Sequence, residues 1–126
     1  MIVSSALARR GRPEAGAYSA TKAAQLSIAE ALRVELTEDR IAVTSVHPIA
    51  TATGFVAAAE GHGGTCAKTA SEPVQTPEVV ARAMAAAILR PRAEVWPRRG
   101  SRSLFHLLAW WPWLADAVLA RQRRVE

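Results

Sequence analysis

The chain is short of several things, and each absence narrows its chemistry. It has one cysteine, Cys66, which cannot form an intrachain disulfide and points to a reducing compartment. Its three histidines, His47, His62 and His106, share no ligand spacing, so no metal site is expected. Met1 is followed directly by Ile2 and Val3, without the basic region and apolar run of a signal peptide, and the expected location is the cytoplasm. No apolar stretch is long enough to span a bilayer. Lysine is scarce: of 16 basic residues only Lys22 and Lys68 are lysines, and the arginines cluster at 9–12, 90–102 and 121–124. No single basic helix face emerges, and no zinc spacing or helix-turn-helix pattern accompanies the net charge of +5, so nucleic acid is not an expected partner. The Arg9-Arg10-Gly11-Arg12 run reads as a solvated loop rather than a phosphate clamp.

What is present suits one domain with a modest core: 126 residues, 50% of them hydrophobic. Residues 1–5 have the character of the end of a buried strand, and Gly11, Pro13 and Gly16 punctuate a loop. From Ala17 to Leu36, the residues Leu26, Ala29, Leu32 and Leu36 recur at helical spacing, which predicts a long helix ending near Asp39-Arg40. The β-branched run Ile41 to Val46 predicts a parallel strand buried on both faces and closed by His47-Pro48. Residues 49–75, with Gly54, Gly61, Gly63, Gly64 and Pro73, predict a mobile segment over a binding cleft, ordered by a ligand. Thr76-Pro77-Glu78 is a helix start, with a hydroxyl N-cap, proline at the first position and an acid in the first turn; the helix runs to about Leu89. Residues 93–96 form a candidate third strand before Pro97. Strand, helix, strand, helix, strand is the order of a parallel α/β sheet. The stretch from Leu104 to Leu119 is apolar and rich in tryptophan, interrupted by His106, Pro112 and Asp116.

The chemistry concentrates in Tyr18-Ser19-Ala20-Thr21-Lys22. On a helix, Tyr18 and Lys22 are an i, i+4 pair that projects a phenol and an ammonium from one face, an acid–base arrangement. Ser5 stands thirteen residues earlier at the end of a strand, Pro48 ends the next strand, and Thr53 follows five residues later. The pair alone is a weak signal; in this combination and context it is strong.

These residues resemble the C-terminal, catalytic half of a short-chain dehydrogenase/reductase, from the fifth strand of that fold onward. The resemblance implies a partial Rossmann-like α/β fold: a parallel sheet of about three strands with flanking helices over residues 1–103, and an apolar helical tail over 104–126. General handedness would put both connecting helices on one face, but the resemblance puts the second opposite the first. It implies an NAD(P)-dependent oxidoreductase acting on a small carbonyl or alcohol substrate. Tyr18 would be the general acid/base, Lys22 would favour its ionised form and hydrogen-bond the nicotinamide ribose, and Ser5 would hold the substrate oxygen. Tyr18, Lys22, Pro48 and Thr53 would line the cofactor, with Pro48 and Thr53 beside the nicotinamide.

The departures from the family pattern carry expectations of their own. Ile49 stands where the family usually has glycine after the proline, so the backbone there approaches a cofactor less closely. The glycine-rich turn, the residue that reads the adenosine ribose and the catalytic asparagine belong to an N-terminal half outside the matched region. The chain is therefore expected to be inactive alone and to hold NAD or NADP poorly, with nothing to choose between the two. The first strand would lack a neighbour, which implies a marginal fold or association, a homo-oligomer among the forms. The alternative reading is a non-catalytic remnant or interaction module that binds a partner or membrane surface through its exposed edge and tail. For the tail itself, packing over the cleft or a subunit contact is favoured over a membrane interface.

Overall fold

The computed structural model describes residues 1–54 and 74–123. Strands β1 (Ile2–Val3), β2 (Ser45–Val46) and β3 (Glu94–Val95) alternate with helices α1 (Gly16–Glu35) and α2 (Pro77–Leu89). Two further helices, α3 (Ser101–Trp110) and α4 (Pro112–Arg123), follow. The sheet order is β1-β2-β3, every pairing is parallel, and Ile2, Ser45 and Glu94 align in one row with Val3, Val46 and Val95 in the next. This is the α/β parallel architecture that the alternation of elements implied.

Backbone pairing reaches beyond these short strands. Ser4 N–H donates to the Val46 carbonyl at 2.9 Å and Ala6 N–H to the Pro48 carbonyl at 2.9 Å, so β1 and β2 stay together past their C-terminal ends. The second strand is shorter than the Ile41–Val46 expected. Ile41 N–H turns back to the Leu36 carbonyl at 3.2 Å, and Arg40 adopts the left-handed conformation at φ 56°, so residues 41–44 complete the exit from α1 before the strand begins. The third strand likewise covers only Glu94 and Val95 of the four residues expected.

α1 forms as its periodicity predicts, burying Leu26 and Ala29 and packing on β1, β2 and the single 3₁₀ turn at Ala6–Ala8. Its last turn is closed by Leu36 N–H on the Leu32 carbonyl and by the Thr37 hydroxyl on the Arg33 carbonyl. α2 starts at Pro77 as expected, but the Thr76 hydroxyl does not cap its backbone. That hydroxyl bonds the Glu78 carboxylate instead and, after the backbone N–H of Glu78 itself, helps hold that carboxyl below its ordinary value. α3 begins at Ser101, three residues before the expected apolar stretch, because Gly100 adopts φ 81° and turns the chain into the helix. Pro112 then separates α3 from α4 by removing a backbone donor.

Because successive side chains alternate across a strand, the two rows of the sheet face opposite ways. Val46 and Val95 face α2, where Ala87 is buried and Ala83 and Met84 pack over them. Ser45, His47, Glu94 and Trp96 face the other way, toward the 3₁₀ turn, α3 and the Arg9 bridge to Glu30 of α1. α1 and α2 thus lie on opposite faces. The predicted mobile segment falls mostly on residues outside those described; its two flanks are joined by a parallel bridge between Thr51 and Gln75, with Gln75 N–H on the Ala50 carbonyl.

Candidate active site

Ser5, Tyr18, Lys22 and Pro48 lie at the C-terminal ends of β1 and β2 and the start of α1, the end of a parallel sheet where loops leave room for ligands. Ser5 ends β1 in an extended conformation and opens the 3₁₀ turn, its hydroxyl oxygen accepting from Leu7 N–H at 3.2 Å. The residue is buried, yet its own O–H remains to donate. Beside it, the Ser4 hydroxyl donates to the Lys22 carbonyl at 2.7 Å and fastens the strand end to the first turns of α1.

On α1, Lys22 Nζ lies 5.7 Å from the centroid of the Tyr18 ring, so the i, i+4 spacing does bring the cation to the aromatic face. The ammonium donates to the Val3 carbonyl at 3.2 Å and to Gln25 Oε1 at 3.0 Å. The first bond satisfies a carbonyl on the outer edge of β1, and the third ammonium proton remains available. Gln25 drew no notice in the sequence, although its position one turn beyond Lys22 is the signal that it shares that face. Pro48 sits next to Ser5 through its carbonyl bond with Ala6 N–H, and Ile49 is half-buried after it. Thr53 is exposed at the border of the described residues, its N–H on the Thr51 carbonyl at 2.8 Å.

Beneath Ser5 lies a polar assembly that sequence reasoning missed. His47 is fully buried; its Nδ1–H donates to the Ser5 carbonyl at 3.2 Å, leaving Nε2 facing the Ser45 hydroxyl at 3.0 Å. Burial lowers its pKa from the ordinary 6.5, against the opposing pull of the Ser5 carbonyl and Glu94, and so favours the neutral ring. The ring stacks on Trp96 with centroids 4.5 Å apart at 16°. The Trp96 indole N–H donates to Glu94 Oε2 at 2.8 Å, and Arg9 bridges Glu94 at 2.5 Å and Glu30 at 3.1 Å. Burial works against ionising Glu94, but the Trp96 bond and Arg9 outweigh it and hold its carboxyl below the ordinary value. The Arg9–Arg12 run is therefore not the solvated loop expected: Arg9 is spent inside the fold, and Arg10 pairs with Asp116 of α4. The only signal was the clustering of arginines after a strand, which spacing alone cannot match to carboxylates far along the chain. Among the described residues no group of acidic, histidine or cysteine side chains could hold a metal ion.

A three-stranded parallel sheet with helices on both faces, with the Tyr18–Lys22 pair on the helix after its first strand, defines a Rossmann-like α/β protein. Residues 1–62 match the family model of the short chain dehydrogenases. Solved structures agree. A short chain dehydrogenase from Burkholderia cenocepacia J2315, determined in complex with NADP, superposes with a TM-score of 0.72 at 27% identity, covering 93% of this chain and 46% of the other. A short-chain dehydrogenase from Sphingobium yanoikuyae, in complex with NADPH, gives a TM-score of 0.66 at 22% identity over 96% of this chain and 43% of the other, a likeness of fold. No curated protein matches the chain. The described chain shares the fold of these short-chain dehydrogenases and spans just under half of their length.

Proposed function

We propose that this chain carries the proton-handling half of an NAD(P)-dependent oxidoreductase that interconverts a small carbonyl and its alcohol. The observation that carries this reading is the placing of Lys22 over the Tyr18 ring on the helix that follows Ser5, at the C-terminal end of the sheet. In reduction, Tyr18 Oη gives its proton to the substrate oxygen as hydride reaches the carbonyl carbon; in oxidation the phenolate takes the alcohol proton back. The Ser5 O–H, free to donate, holds the substrate oxygen while charge develops on it. His47 acts through Ser5 as a positioning residue, since its ring fixes the Ser5 carbonyl from below.

The donor set fits the nicotinamide end of a dinucleotide. Lys22 has one ammonium proton left for a ribose hydroxyl after its bonds to Val3 and Gln25, and Pro48, next to Ser5, offers the nicotinamide an apolar neighbour; Thr53 is assigned to the cofactor by the family resemblance. When bound, such a cofactor supplies or accepts the hydride. On this reading the nicotinamide end alone gives weak cofactor binding and no turnover, since hydride donor and proton donor must both be held in place. A second reading, an interaction module, draws support from the exposed Val3 on the outer edge of β1 and from the exposed tryptophans of the tail. The lone Cys66 supports a reducing compartment, the cytoplasm.

The test is consumption of NADPH and NADH with a panel of ketones and aldehydes. The expected result for this chain is no turnover above background. Turnover would contradict the half-site reading, and if that turnover survived Tyr18→Phe it would overturn the role of Tyr18 as well.

A further inference from the structure

The last two helices turn their largest apolar side chains away from the rest of the protein. In α3, Phe105 and His106 face inward, with ring centroids 6.1 Å and 6.0 Å from Trp96. Leu104, Leu107 and Trp110, at three-residue spacing, form an outward stripe; Trp110 is 81% exposed. In α4, Ala115 is buried while Trp113 is 69% exposed. From sequence, packing over the cleft or a subunit contact is the favoured arrangement of this tail; the stripe itself faces away from the rest of the protein.

The charge around this surface is of one sign. Between residues 97 and 121 the charged side chains are Arg98, Arg99, Arg102 and Arg121, all exposed, against the single carboxylate of Asp116. Asp116 is paired with Arg10, and Arg102 alone of the four leans inward, 3.6 Å from Glu94. Exposed indoles on the same stretch of chain as exposed guanidinium groups match the boundary of an anionic bilayer, where indole sits between headgroup and acyl chain and arginine meets phosphate. A second copy of the chain would bring the same positive surface against itself, and like charges in contact oppose that pairing. Among the described residues no helix is long and apolar enough to cross a membrane, so the helices can only lie along its surface.

We infer that α3 and α4 form a docking surface for anionic phospholipid membranes, with Trp110 and Trp113 seated in the headgroup boundary and Arg98, Arg99 and Arg121 on the lipid phosphates. The inference does not rest on the roles proposed for Ser5, Tyr18 and Lys22.

The test is co-sedimentation of the full chain with vesicles of phosphatidylcholine alone and of phosphatidylcholine mixed with phosphatidylglycerol. Binding is expected to the mixed vesicles, about tenfold or more tighter than to phosphatidylcholine. A Trp110→Ser/Trp113→Ser double variant, both sites being exposed and its fold checked by circular dichroism, should bind the mixed vesicles about tenfold or more weakly. Equal binding by wild type and double variant would overturn the inference, because the net charge of +5 would then suffice by itself. Absence of binding to both vesicles would overturn it too. A concentration-dependent dimer in sedimentation velocity, abolished by the double variant and unaffected by vesicles, would assign the surface to a second copy instead.

Discussion

The two faces of the β1-β2-β3 sheet are built by different physics. On one, Val46, with no exposed surface, and Val95 meet Ala83, Met84 and Ala87 of α2, an interlock of small aliphatic groups with no polar requirement. On the other, buried His47 and Ser45 and half-buried Glu94, Trp96 and Arg9 are held by hydrogen bonds and ion pairs. The aliphatic face supplies stability without directionality. The polar face fixes the position of Ser5, because every group in it must find its partner or be left unsatisfied.

Three perturbations sharpen this contrast. The largest loss is expected on the aliphatic face: Val46→Ala removes two methyl groups from a fully buried site and should cost about 2–3 kcal/mol in chemical denaturation. In a sheet of three two-residue strands, a loss that size should abolish the cooperative transition. On the polar face, Glu94→Gln keeps the shape but leaves Arg9 with only Glu30 as its ionic partner, and about 1–2 kcal/mol should be lost. A diagnostic beyond stability is a change in the near-ultraviolet dichroism of Trp96, whose indole donates to the same carboxylate. If Glu94→Gln left that signal unchanged, the network would not be the rigid assembly described.

The smallest effect is the dependence on pH. His47 and Glu94 both have lowered pKa values in the fold, so the unfolded chain binds protons more readily at each. Stability is therefore full above the ordinary His value of 6.5 and falls as the pH drops from there toward the lower folded value of His47. A second loss, from Glu94, begins below the ordinary Glu value of 4.5. Thermal melts from pH 8 to pH 4 should show the first decline near neutrality, and His47→Gln should remove it while leaving the second. A melting temperature that rose on mild acidification would reverse the sign and contradict a buried neutral His47.

Legibility in the sequence follows the same division. The aliphatic face and the helices were readable because burial imposes periodicity: Leu26 and Ala29 recur at helical spacing, and Val43 and Val46 are β-branched. The Tyr18–Lys22 pair was readable because its partners are four residues apart. The polar face was not, since Arg9, Glu30, His47 and Glu94 lie far apart in sequence and nothing local declares that they meet. Strand ends escaped for a related reason. The β propensity of Ile41 was outweighed by its bond back to the end of α1, a tertiary choice that local propensity does not contain. The Thr76 hydroxyl had two possible partners one turn apart and took the carboxylate of Glu78.

We propose that Ser5, Tyr18 and Lys22 offer the nicotinamide end of a cofactor site, without the adenosine end. Amide chemical-shift titration with nicotinamide mononucleotide on one hand and adenosine 2′,5′-bisphosphate on the other tests it directly. Weak binding of the first is expected, with a dissociation constant of about 1 mM or higher. Shifts should centre on Ser5, Lys22 and His47 and vanish in Lys22→Ala, with no saturable shift from the second. Saturable shifts from the adenosine compound, or nicotinamide-compound shifts that persist in Lys22→Ala, would contradict it.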